Sequence, residues 1–232
     1  MILQLKKELQ NSANPKQAVN LQRFFKTGPG EYGEGDVFLG IKVPVQRQVA
    51  KKYPDLSLAE IQQLLRSKIH EHRMVALFIL VRQYEKGDTE LKKKIFDLYL
   101  KNTKNINNWD LVDLSSPNIV GNYLLNKPRK ILYRLAKSKL LWERRIAVLA
   151  TFAFIRQNDF RDALALAKML LNDKHDLMHK AVGWMLREAG KRDQILEVRF
   201  LDKYARKMPR TMLRYAIEKF SQAKRNHFLN LK

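Results

Sequence analysis

The chain has no cysteine among its 232 residues, so disulfides, thiolate metal sites and a cysteine nucleophile are excluded from the start. Acidic residues are scarce: 23 Asp and Glu stand against 45 Lys and Arg, a net charge of +22. No unbroken apolar run is long enough to span a bilayer. The opening MILQLKKELQNS places charges where a signal peptide would be continuously apolar. No phosphate-binding Walker loop or dinucleotide glycine fingerprint occurs. These absences lead to the expectation of a soluble, cytoplasmic protein with no membrane partner and no cofactor; a monomer is expected as well.

What is present points to a folded, polyanion-binding protein. Apolar residues make up 45% of the chain, enough for a sizeable core, and one domain over residues 1–232 is expected. A cationic surplus of this size repels itself in the compact state and persists when a polyanion neutralises it. Double-stranded DNA is the expected partner, which would associate the protein with the nucleoid; RNA, the ribosome or an anionic lipid surface would fit the same charge. Residues 129–232 hold 25 of the basic and 10 of the acidic residues, so the surplus leans toward the second half.

From Leu58 onward the apolar residues recur three and four apart, in segments such as SLAEIQQLLRS, MVALFILVRQYEK and WERRIAVLATFAFIRQ. HRMVALFILVRQYEKGDTEL, ERRIAVLATFAFIRQNDFRDAL and MHKAVGWMLREAGKRDQIL align as basic residue, apolar helix, basic residue, acidic turn and next helix. A period in the thirties built from helix pairs predicts an all-α fold, an α-solenoid superhelix of HEAT-like repeats. Steps of 36 back from Arg145 reach Trp109 and Arg73, and a step of 35 forward reaches Lys180. The exception is TGPGEYGEGDVFLG, residues 27–40, which contains five of the nine glycines. Tight turns are expected there, with a short β-hairpin carrying Tyr32, Val37 and Phe38 or an ordinary interhelix loop.

The repeat phase also selects a candidate site. Trp109 and Asp113 are four apart and share a helix face near the break at Pro117, with Asn107 or Asn108 as cap. Asp110 should point elsewhere. A carboxylate in basic surroundings stays ionised and can stabilise positive charge developing on a sugar, the requirement of N-glycosidic cleavage. Indole faces at Trp109 and Trp184 can pack on a deoxyribose, and Arg145 can grip a phosphate. Such a set favours a leaving base that is already cationic.

The blocks NPKQAVNLQRFF, FLGIKVP, INNWDLVD, LWERRIAVL and HKAVGWMLRE, which span nearly the whole chain, resemble the DNA alkylation repair family of HEAT-like-repeat DNA glycosylases, the AlkD type. The resemblance implies a helical superhelix binding duplex DNA in its concave face and releasing cationic alkylpurines without metal or cofactor. It aligns the family's catalytic Asp with Asp113, its site tryptophans with Trp109 and Trp184, and its phosphate-contacting Arg with Arg145. Arg144, Lys180 and Lys42 are the further candidates for backbone contact. Phe24 stands where the glycosylase branch has tyrosine, and Lys42 replaces a glutamine. The glycine-rich insertion matches branches that bind branched DNA without excising bases, so a non-catalytic, structure-specific DNA binder is the alternative expectation. His175 and His179, spaced like zinc ligands, lack the accompanying Glu of that motif and are read as solvated or core residues.

Overall fold

The computed structural model describes residues 1–231. Among them the chain forms fourteen α-helices and no sheet, the all-α solenoid architecture that the periodicity predicts. The chain packs as two compact units that divide between Ser115 and Ser116.

The first unit holds α1 (Ile2–Asn11), α2 (Pro15–Phe24), α3 (Val43–Lys52), α4 (Leu58–Leu65), α5 (His70–Lys86), α6 (Thr89–Lys101) and all but the last residue of α7 (Trp109–Ser116). The helix starts are written into the sequence. Asn14 accepts from the Gln17 amide ahead of Pro15, Ser57 and Glu60 cap each other reciprocally, and Asp88 accepts from the Leu91 amide. Helix α5 is the hub, with α1, α3, α4 and α6 against it. Met74 to Leu77 and Ile79 to Val81 are all buried, so the middle of this helix is apolar around its whole circumference, as a central helix requires.

The second unit begins with a π-helical turn, Pro117–Gly121, followed by α8 (Lys130–Ala136), α9 (Leu141–Ile155), α10 (Arg161–Met169), α11 (Asp176–Gly190), α12 (Gln194–Tyr204), α13 (Arg210–Ala216) and α14 (Gln222–Leu229). Helices α9 and α11 pack on each other and form its centre, α9 also meeting α8 and α10, α11 also meeting α12 and α13. Arg129 ties two elements together, bonding Asp159 at 2.8 Å and Asp162 at 2.7 Å while lying 3.7 Å over the Phe154 ring. Gly190 leaves the space that the Glu197 carboxyl fills; a Cβ on it would stand 1.6 Å from Glu197 Oε2.

One bond recurs at the head of three central helices and fixes the register of the repeat. Arg73 donates to the Ser67 carbonyl at 2.8 Å, Arg144 to the Ser138 carbonyl at 3.0 Å and His179 to the Asp173 carbonyl at 2.5 Å. In each case the side chain reaches back six residues to hold the turn that leads into its own helix. Ser67 and Ser138 further accept from the amides of Ile69 and Leu140, and Asp173 from that of His175. The equivalent positions are therefore Arg73, Arg144 and His179, one residue away from the phase read through Arg145 and Lys180. Counted from the cap, Arg145 and Lys180 match Asp113, because Asn108, Leu140 and His175 each accept the first helical bond, from Val112, Arg144 and His179.

No β-hairpin forms over residues 27–40. The segment folds as successive turns, in which Glu31 and Glu34 accept from the amides of Gly28 and Gly30 and so supply locally what a cross-strand partner would. Near its end, Val37 makes a single parallel bridge with Ile69. The amides of Leu39, Gly40 and Ile41 all donate to the buried Glu71 carboxylate at 2.9–3.2 Å. Gly40 is required there: its φ is +82°, and a Cβ would meet the Asn14 carbonyl at 2.1 Å.

Candidate functional site

Trp109 and Asp113 share one face of α7, both half-buried, while Leu111, Val112 and Ser115 on the other side are buried. Asn108 is the cap; its carbonyl accepts from Val112 and its side chain from the Trp109 amide at 2.8 Å. Asp110 does point elsewhere: Oδ1 accepts from the Leu111 amide and Oδ2 lies 2.9 Å from His70 Nε2. The Trp109 indole stacks on Phe25 at 5.3 Å and 20°, and Phe24 meets it edge-on at 6.0 Å. Asp113 sits close enough to the buried Tyr99 hydroxyl to help push that group's pKa up, although burial is the larger cause. Tyr99 is held in turn by Ser115 at 2.9 Å.

Behind Trp109 lies a layer that the sequence reading did not single out as functional. Phe25 stacks on Phe38 at 5.1 Å, and Phe38 on His70 at 4.5 Å. His70 Nδ1 is 3.1 Å from Asp36, whose carboxylate also pairs with Arg73 at 2.7 Å and accepts from Asn107 at 3.3 Å. Burial alone would lower the His70 pKa; Asp110 and then Asp36 outweigh it and leave it raised. Burial likewise opposes ionisation of Asp36, and His70 and Arg73 overcome it, so that pKa is lowered. The available signal was HEHR, four consecutive polar residues ahead of the apolar run MVALFILV, every one of the four buried.

Arg145 and Trp184 lie in the second unit, on the packed pair α9 and α11. Arg145 is 4% exposed, and its Nη1 donates to the Leu177 carbonyl at 2.5 Å, so it fastens the start of α11 to α9. Trp184 is half-buried, with its Nε1 donating to Glu188 at 3.1 Å and its ring 6.0 Å from Phe152. Arg144 has its guanidinium on Asp173 at 2.6 Å and on the carbonyls of Ser138 and Lys139, a fold-holding arrangement. Lys180 pairs with Asp176 at 2.7 Å in a solvent-exposed contact, and Lys42 is exposed at the start of α3. His175 caps α11 through its ring and His179 bonds a carbonyl. Among the described residues no group of three or more His, Asp and Glu is placed to hold a metal, and no helix is long and apolar enough to cross a membrane.

The chain can be placed among known proteins. A family model described as DNA alkylation repair enzyme matches residues 5–220. A solved structure from Enterococcus faecalis, described as a predicted DNA alkylation repair enzyme, superposes with a TM-score of 0.72. The match covers 91% of this chain and 98% of that one at 15% identity, so the likeness is one of fold. No curated protein matches the chain.

Proposed function

Because the chain belongs to the DNA alkylation repair enzyme family, we propose that it is a monofunctional DNA glycosylase acting on cationic N-alkylated purines, of the 3-methyladenine and 7-methylguanine type, in duplex DNA. The observation that carries this reading is the pairing on α7, a carboxylate and an indole one turn apart, both half-buried, on a chain of charge +22. An N-alkylpurine already bears the positive charge of a good leaving group, so no general acid is needed. As the bond from C1′ to the base nitrogen breaks, its electron pair leaves with the base, which departs neutral, and positive charge passes to the sugar. Asp113 stabilises that oxocarbenium-like sugar and orients the water whose oxygen bonds to C1′; the water's proton goes to Asp113 or to solvent. The products are the free base and an abasic site.

In the same reading Trp109 packs on the deoxyribose beside Asp113, and Trp184 and Arg145, on the second unit, are the further candidates for contact with sugar and phosphate. Lys180 and Lys42, both reachable from solvent, contact the backbone. Arg144 serves less directly, through the start of α9. The test is to incubate purified protein with methylated duplex DNA and quantify the free bases. Release of 7-methylguanine and 3-methyladenine, with uracil and hypoxanthine left in place in matched duplexes, supports the reading; no release above the protein-free rate overturns it.

A second reading, a non-catalytic binder of branched DNA, draws on Phe24, a residue 63% exposed at the end of α2 beside the turn segment. It expects a four-way junction to bind more tightly than linear duplex, with the preference lost in Phe24→Ala. Equal affinity of the unaltered protein for both would remove it. Salt dependence cannot separate the two readings, since both release counterions from phosphates.

A further inference from the structure

His70 presents both ring nitrogens to carboxylates, Nδ1 to Asp36 at 3.1 Å and Nε2 to Asp110 at 2.9 Å. Ionised carboxylates only accept, so both contacts are hydrogen bonds only when both nitrogens carry protons. With Arg73 on Asp36, the buried set closes as two anions and two cations, and these are the charged groups that face the ring. They come from three parts of the first unit: Asp36 from the turn segment, His70 and Arg73 from α5, and Asp110 from α7. Asp110 is the chain neighbour of Trp109, and its other oxygen holds the Leu111 amide in the first turn of α7. A second route runs from the face of the same ring, through Phe38 and Phe25 to the Trp109 indole.

We propose that His70 is a positioning residue: by joining Asp36 to Asp110 and ending the aromatic column, it sets the first turn of α7 and with it the place of Trp109. An isolated eight-residue helix is marginal, so the direction of α7 depends on such ties. A neutral imidazole donates from one nitrogen only and must release one of the two aspartates. The turn segment then has other holds, since Asp36 keeps Arg73 and Asn107. The consequence for catalysis rests on the glycosylase reading above; the placement of Trp109 does not.

The experiment labels the three tryptophans with 5-fluorotryptophan and follows each by fluorine NMR, assigned through single Trp→Phe variants. In His70→Gln, whose amide has its donors on one nitrogen and only an acceptor oxygen in place of the second ring nitrogen, the Trp109 resonance is expected to shift or broaden while those of Trp142 and Trp184 stay in place. Raising the pH of the unaltered protein through the raised His70 pKa should move the same resonance alone. Asp110→Asn, which keeps an oxygen for the Leu111 amide and removes the charge, should reproduce the shift and decides the matter if His70→Gln does not fold. If the protein releases alkylpurines, the single-turnover rate of His70→Gln should fall about tenfold with DNA affinity nearly unchanged, since misplacing a substrate-holding group acts on the rate. A Trp109 resonance that stays put in a folded variant overturns the proposal, as does equal movement of all three. If the unaltered protein releases no base, the glycosylase reading fails while the resonances still decide the placement of Trp109.

Discussion

Trp109 in the first unit and Trp184 in the second are both half-buried on helices, yet they are held by different means. Trp184 is anchored locally, by Glu188 one turn along its own helix and by Phe152 on the adjoining α9. Trp109 is anchored through a chain of groups that ends at residues far from it in sequence, Phe25, Phe38, His70 and Asp36. The first arrangement tolerates change elsewhere; the second transmits it. Positions that match in the repeat show the same division. Arg73 and Arg144 make the same backward bond to a carbonyl, but Arg73 also neutralises the buried Asp36, whereas Arg144 pairs with Asp173 nearer the surface.

That contrast can be broken by substitution. Arg73→Ala leaves Asp36 buried with one cation fewer and should cost about 3–5 kcal/mol in denaturant unfolding, the usual result of orphaning a buried ion-pair partner. A loss under about 1 kcal/mol would mean that the buried set is not held as described. The second unit has its own buried charge site in Glu197, 2% exposed beside Gly190, where burial outweighs Arg187 and pushes the carboxyl up to about 8. Its folded pKa lies above the unfolded value, so its contribution to stability is full below about pH 4.5 and is lost as pH rises toward about 8. Glu197→Gln should flatten the stability profile across that window, by roughly 2–4 kcal/mol between its ends; an unchanged slope would show that Glu197 is not the group that titrates. Arg144→Ala, the partner of Arg73 in the repeat, should cost only about 1–3 kcal/mol. Smallest of all, Glu188→Ala should cost about 1 kcal/mol or less and shift the Trp184 resonance while leaving Trp109 unmoved.

The helices and their pairing were legible because the apolar spacing is set by helix geometry alone. The register was off by one at Arg73, which matches Arg144, and by four at Trp109, since Arg145 matches Asp113; residues three and four apart tolerate such shifts, whereas the bond that fixes the register comes from Arg, Arg and His to a carbonyl and has no common residue type. Residues 27–40 took the loop rather than the hairpin, the other form open to them, for a related reason. Glycine density announces turns, but the partners of the backbone amides are Glu31, Glu34 and, from α5, Glu71, which no strand pattern reveals. The pairing of Trp109 with Asp113 on one face of α7 was readable from spacing. The column behind Trp109 was not, because it joins residues 25, 38, 70 and 109 through packing between separate elements.

The central claim is that Asp113 carries the chemistry, and single-turnover release of 7-methylguanine from a duplex with one lesion, under excess enzyme, tests it most directly. With folding and DNA affinity matched, Asp113→Asn should be slower by about 10²–10³-fold, the scale of losing one preorganised electrostatic group. Equal rates for the two proteins would contradict the account.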